Sequence, residues 1–262
     1  MFNKKKLMCS LLFVVMVTQV LISNVFAFEK FYYSVDVTKS DEEIVALASP
    51  EDKIKAQSAV VDKNRLYLFL NKEENNQLDP IADAFKPTGK TDLEKLMSVV
   101  RYVESLGLTY SPETDYNLKN QVNNIKYGHT MCLGASILGG KLMDKTGMEY
   151  RYVLKLIKTR SNPVAEAEGG GHIILEVKTN EGKWMEFDPT EILCNPGKID
   201  LMPTIRFDIN RANSRKEAEI PERIFNRLIG PVGDNQYRNF IVSPVYKSGK
   251  MIDSNLKIFN EL

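Results

Sequence analysis

Apolar and polar positions along the chain change period several times, and the changes mark out its elements. From Thr91 onward, Leu93, Leu96, Met97, Val100 and Val103 recur every three or four residues, the period of one helix face. Thr91 followed by Glu94 has capping-box spacing, and Gly107 supplies a stop. A second helical period follows Cys132: Leu133, Ile137, Leu142 and Met143 share a face, and Gly147 closes it. Next come three strand-like runs, EYRYVLKLI at 149–157, HIILEV at 172–177 and KWMEFD at 183–188. TNEG at 179–182 has turn chemistry, so the last two runs should form a hairpin. Earlier in the chain, FEKFYYSVDV at 28–37 and RLYLFL at 65–70 are rich in aromatic and β-favouring residues and read as strands. The charged stretch SDEEIVALASPEDKIKAQ between them reads as a short helix.

Punctuation separates these elements. Pro80, Pro87 and Gly89 predict a loop near 75–90, and a polar, tyrosine-containing loop fills 109–127. TRSNPVAEAEGGG at 159–171 is long and polar and ends in three glycines, which predicts a mobile loop just before His172. Residues 206–228 are charged and helical in pattern, broken by Pro221, with basic and acidic residues alternating as on a solvated face. NFIVSPVY at 239–246 reads as a strand. The helix after Cys132 carries Gly134, Gly139 and Gly140, and each mid-helix glycine costs about 1 kcal/mol relative to alanine. Glycines there are tolerated where another backbone or side chain must come close, so this helix should be central and pressed against a sheet.

The N-terminus adds a different signal. Lys4, Lys5 and Lys6 precede a largely apolar run from Leu7 to Ile22, and Val25-Phe26-Ala27 supplies a cleavage site. This is the pattern of a secretory signal peptide cut near Ala27, which predicts a secreted or periplasmic, cell-envelope protein. The membrane is then a partner only if that segment stays uncleaved. Removing residues 1–27 takes three of the 35 basic residues and none of the 34 acidic ones, leaving a charge of about −2. A near-neutral body gives no electrostatic reason to expect a nucleic-acid partner. The chain of 262 residues divides by pattern into the signal segment at 1–27, an N-terminal extension at 28–90, a core at 91–194 and a C-terminal extension at 195–262.

Three residues converge on one chemistry. Cys132 falls two residues after Thr130, a good N-cap, and so occupies a first helical turn. Free N–H groups and the helix dipole favour an anion there, and it is the thiolate that attacks. His172 begins one strand of the predicted hairpin and Asp188 ends the other. A five-residue turn with 177 opposite 183 would set 172 opposite 188, with Cβ atoms about 5 Å apart on one face. A carboxylate there can hold the imidazole and leave its other nitrogen for the thiol.

The runs GHTMCLGA at 128–135, HIILEV at 172–177 and WMEFDPT at 184–190 resemble the core of the transglutaminase-like superfamily. The resemblance covers roughly residues 91–192. It implies an α+β, papain-like fold, a cysteine-bearing central helix packed on an antiparallel sheet that carries the histidine and the aspartate. It also implies Cys132 as nucleophile, His172 as general base and acid, and Asp188 as the orienting carboxylate. The implied activity is acyl transfer on peptide or amide bonds of a peptide or protein substrate, with hydrolysis favoured over cross-linking and no cofactor or metal needed. The sequence departs from many relatives in having isoleucine at 174, where an aromatic is common.

Other readings stay open at this level. Cys132 could be a packed thiol or pair with Cys194 in a disulfide, which would leave a non-catalytic binding or envelope module with the same fold. His129 could be the base, and Asp188 could cap the turn at Pro189. A zinc site from Cys132, His172, Asp188 and Cys194 is stereochemically conceivable, though no short metal-ligand pair supports it. Tyr127 and Gln121 are candidates for a second oxyanion donor, and Trp184 reads as packing.

Overall fold

Eight strands pair antiparallel in one sheet within the residues that the computed structural model describes, 31–71, 73–111, 124–159, 171–194 and 236–261. The signal segment, Gln121, residues 160–170 of the glycine-ended loop and the patterned stretch at 206–228 lie outside those residues. The chain runs β1 (Phe31–Asp36), α1 (Asp41–Leu47), α2 (Lys53–Leu70), α3 (Asp79–Ala84) and α4 (Asp92–Ser105). The short strands β2 (Thr109–Tyr110) and β3 (His129–Thr130) lead into α5 (Cys132–Thr146). Then come β4 (Glu149–Thr159), β5 (Gly171–Lys178), β6 (Trp184–Phe187) and α6 (Pro189–Cys194), followed by β7 (Gln236–Val242), β8 (Val245–Lys247), β9 (Lys250–Asp253) and β10 (Asn255–Glu261). The sheet order is β1-β10-β7-β4-β5-β6, with β8 attached to β4 and β9 to β8. The architecture is α+β.

Local chemistry sets most of these bounds. Thr91 caps α4 by accepting from Glu94 N, and the Glu94 carboxylate accepts from Thr91 N in return. Gly107, just past the helix, takes φ +62. The buried face of α4 is Leu96, Val99, Val100 and Val103, whereas Leu93 faces solvent. Gly147 ends α5 in the left-handed conformation, as its position predicts.

Two expectations are corrected. RLYLFL is not a strand but the last turns of α2, whose Ala56, Ala59 and Leu66 form one buried helical stripe. The β-favouring run is short, and a buried face reaching back to Ala56 overrides its local preference. The region 75–90 is not all loop, since a 3₁₀ turn at Glu73–Leu78 runs into α3. Pro80 sits in the first turn of α3, where its missing N–H removes no helical bond.

Alternation on β5 divides the sheet into two faces. Ile173, Leu175 and Val177 join the main core with Leu133, Ile137, Leu138, Leu142 and Met143 of α5. Ile174 points the other way and packs with Val153 and Val242. Burial on both faces explains why HIILEV is a continuous apolar run rather than an alternating one.

The glycines of α5 mark where the sheet side comes closest. A Cβ on Gly139 would lie 2.8 Å from Pro189 Cγ and 2.9 Å from Leu175 Cδ1. One on Gly140 would overlap the Tyr152 hydroxyl and lie 2.7 Å from Tyr152 Cζ. The Tyr152 ring is hemmed by Tyr150 and Tyr246, with centroids 5.8 and 6.2 Å away, so it has little room to turn. Gly140→Ala is therefore expected to destabilise the fold by about 1–3 kcal/mol through overpacking, read as a lower urea midpoint. An unchanged midpoint would mean that α5 stands further from the sheet than this packing requires.

Candidate active site

The hairpin that brings His172 and Asp188 together has a three-residue loop. Thr179 N donates to Lys183 O at 2.8 Å, Gly182 N donates to Thr179 O at 2.8 Å, and Gly182 takes φ +78. This loop is shorter than the five residues expected, so the register moves by two: Val177 lies opposite Met185, not opposite Lys183. A shift of two keeps side chains on their faces, whereas a shift of one would have separated the pair. Asp188 thus reaches His172 diagonally, from just beyond the end of β6.

His172 Nε2 donates to Asp188 Oδ2 at 2.7 Å. The other carboxylate oxygen, Oδ1, accepts from Thr190 N at 2.9 Å, and Asp188 O accepts from Glu191 N at 3.1 Å. Asp188 therefore does cap the turn at Pro189, and the same carboxylate holds the histidine. The two readings of this residue are both satisfied because each oxygen serves one of them.

Cys132 is the first residue of α5 and is half-buried against the core. Thr130 is not its N-cap. That position belongs to Met131, which makes no side-chain cap bond, because Thr130 is drawn into extended pairing with Tyr110. The first bond of the helical ladder runs from Ala135 N to Met131 O at 3.0 Å, so the N–H groups of Cys132 and Leu133 precede it. The Cys132 side chain lies close enough to His172 to act on the charge of the ring. With Nε2 on Asp188, Nδ1 is the ring nitrogen left for the sulfur.

Burial alone would lower the pKa of His172, but the hydrogen bond to Asp188, the neighbouring Cys132 side chain and the negative charges of both raise it to about 10. The ring holds its proton through neutral pH, which places a positive charge beside the Cys132 sulfur. Because the folded value lies above the ordinary 6.5, the linked stability is fully present below about pH 6.5 and lost as pH rises through 10. Asp188→Asn is expected to move the His172 titration midpoint down toward 6.5, as followed by imidazole NMR. The chain has two histidines, so the signals are readily assigned with a His129→Gln variant. A midpoint that stays near 10 in Asp188→Asn would show that the carboxylate does not hold the charge.

The remaining candidates are placed as follows. His129 lies on β3 with its backbone paired to Thr109. Cys132 and Cys194 are both free thiols, and Cys194 is at the exposed end of α6. Partial burial, then the Asp188 charge, raise the Cys194 thiol above its ordinary value. No group of three or more His, Cys, Asp or Glu suited to a metal occurs among the described residues. Trp184 packs under the Arg151 guanidinium, 3.9 Å from the ring centroid. Tyr127 is 78% exposed. The capping bond from Thr190 N fits Asp-Pro-Thr as a helix-start signature.

No family model matches the chain, and no curated protein matches it in sequence. Among solved structures it is similar to a TGase at 15% identity and TM-score 0.34, over 65% of this chain and 44% of the other. It is also similar to a proposed cysteine protease from Cytophaga hutchinsonii at 13% identity and TM-score 0.33, over 88% and 70%. Calcium-bound LapG from Legionella pneumophila aligns at 15% identity and TM-score 0.26, over 64% and 82%. The match thus spans less than half the length of the TGase. The chain's own arrangement is a cysteine-opened helix packed on an antiparallel sheet that bears His172 and leads into Asp188, which is what resemblance to the transglutaminase-like superfamily implies.

Proposed function

We propose that the protein is a thiol-dependent acyl-transfer enzyme acting on a peptide or amide bond outside the cytoplasm. The observation that supports this most is the grouping of Cys132 at a helix N-terminus with His172, which is itself bonded to Asp188. The Cys132 thiolate attacks the carbonyl carbon, and the oxyanion that forms lies against N–H groups of the first turn of α5. His172 gives its proton to the departing amine, the C–N bond breaks, and a thioester remains on Cys132. Water then attacks the thioester while His172 takes its proton, and the products are a carboxylic acid and the free thiol. An amine in place of water would give a new amide by the same steps. Hydrolysis is the favoured outcome, by resemblance to exported members of the superfamily. Export itself is read from the apolar Leu7–Ile22 run and the site near Ala27. No helix among the described residues is long and apolar enough to cross a membrane.

The test is to offer residues 28–262 a peptide library together with a labelled primary amine. New carboxyl termini without label support hydrolysis, and label joined to peptide supports transfer to amines. Neither product, from protein with a free Cys132, would contradict the proposal.

A further inference from the structure

Ser136 lies one turn after Cys132 on α5 and is fully buried. A buried hydroxyl needs a partner, and Ser136 Oγ donates to the backbone carbonyl of Ile173 at 2.8 Å. Ile173 is the residue after His172. The strand register explains why a donor is wanted there. β6 stops at Phe187, opposite Leu175, and the same register sets Pro189 opposite Ile173. Proline has no N–H to give to a neighbouring strand. Three residues beyond Ser136, Gly139 meets that same Pro189, whose Cγ would lie 2.8 Å from a Cβ at that position. Pro189 in turn follows Asp188. One stretch of α5 therefore meets the residue after the histidine and the residue after the aspartate, once by a hydrogen bond and once by an approach too close to admit a Cβ.

We propose that Ser136 is a positioning residue, holding the His172 strand against the Cys132 end of α5, while Gly139 sets how closely the Asp188 turn approaches. The inference rests on Cys132 being the nucleophile and His172 its proton carrier. Ser136 touches no reacting atom and acts through the Ile173 carbonyl. Without the hydroxyl, helix and strand lose the tie nearest the site. The approach of imidazole to sulfur, which must be close and well aligned for proton transfer, is the first thing lost.

The experiment compares wild type, Ser136→Ala and His172→Ala, each as residues 28–262. Iodoacetamide labelling of Cys132 is followed by peptide mass between pH 5 and 9, alongside the imidazole NMR titration of His172. Ser136→Ala is expected to melt cooperatively, yet to label about tenfold or more slowly below pH 7, approaching His172→Ala. Its His172 midpoint should fall from about 10 toward the ordinary value. Ser136→Thr keeps the hydroxyl and should retain the wild-type profile. A Ser136→Ala protein whose labelling profile and titration overlay wild type, whatever its stability, would overturn the proposal. Should Ser136→Ala not fold, Ser136→Thr decides: a wild-type profile supports the proposal and a lost one overturns it. Wild type labelling no faster than His172→Ala would place the failure in the proposed function itself, and this inference would fall with it.

Discussion

Cys132→Ala is expected to lower turnover by at least about 10³-fold while moving the melting temperature by no more than a few degrees. The two effects separate because the sulfur is half-buried and small, so its removal leaves the packing of Leu133, Ile137 and Leu142 intact. The rate loss is large because no other group can form the thioester, and Cys194 sits at the far end of α6 with its thiol shifted away from the anion. His172→Ala should cost a similar factor, since the proton carrier and the charge beside the sulfur go together. It should also lower stability modestly. Asp188, whose side chain is only 10% exposed, would keep its bond from Thr190 N but lose the imidazolium. A Cys132→Ala protein with wild-type turnover would mean that the thiol is not the nucleophile.

The largest expected change in stability lies elsewhere, at Arg151. Arg151 and Glu176 are direct cross-strand partners on β4 and β5, with Nε donating to Oε2 at 2.6 Å. The Glu176 side chain is fully buried and that of Arg151 is 12% exposed, so water screens the pair little. Trp184 closes the other side of the guanidinium. Arg151→Met leaves a buried carboxylate without its cation and is expected to cost about 3–5 kcal/mol, measured by urea denaturation. Adding Glu176→Leu should recover most of that loss, because the uncompensated charge leaves with it. Equal losses in the single and double variants would show that the guanidinium contributes mainly through its stack on Trp184.

Much of the site was legible because its signals are local. The cysteine at a helix start, the histidine at a strand start and the Asp-Pro after the next strand each declare themselves within a few residues. The glycines of α5 announced close packing, and Gly139 and Gly140 meet Pro189 and Tyr152 as that reading requires. Failures came where distance along the chain decides. RLYLFL looks extended by itself and is helical because Leu66 shares a buried stripe with Ala56 and Ala59. The register of β5 against β6 depends on whether the loop closes at Thr179–Lys183, and its composition suits either length. The pairing of β1 with β10 joins residues more than two hundred apart, for which no periodicity leaves a trace. Ser136 was invisible for a similar reason, since a serine in a helix reads as neutral until the carbonyl it bonds is known.

The most direct measurement is the rate of iodoacetamide labelling of Cys132 against pH, on residues 28–262 without reductant, beside His172→Ala. Cys132 is expected to label rapidly already at pH 6, well ahead of Cys194, and to lose that acid-side reactivity in His172→Ala. Slow labelling of Cys132 at pH 6 that His172→Ala leaves unchanged, or an intact mass two units low with no labelling until reductant is added, would contradict that expectation. The first result would leave GHTMCLG as the start of a packed helix, and the second would join Cys132 to Cys194.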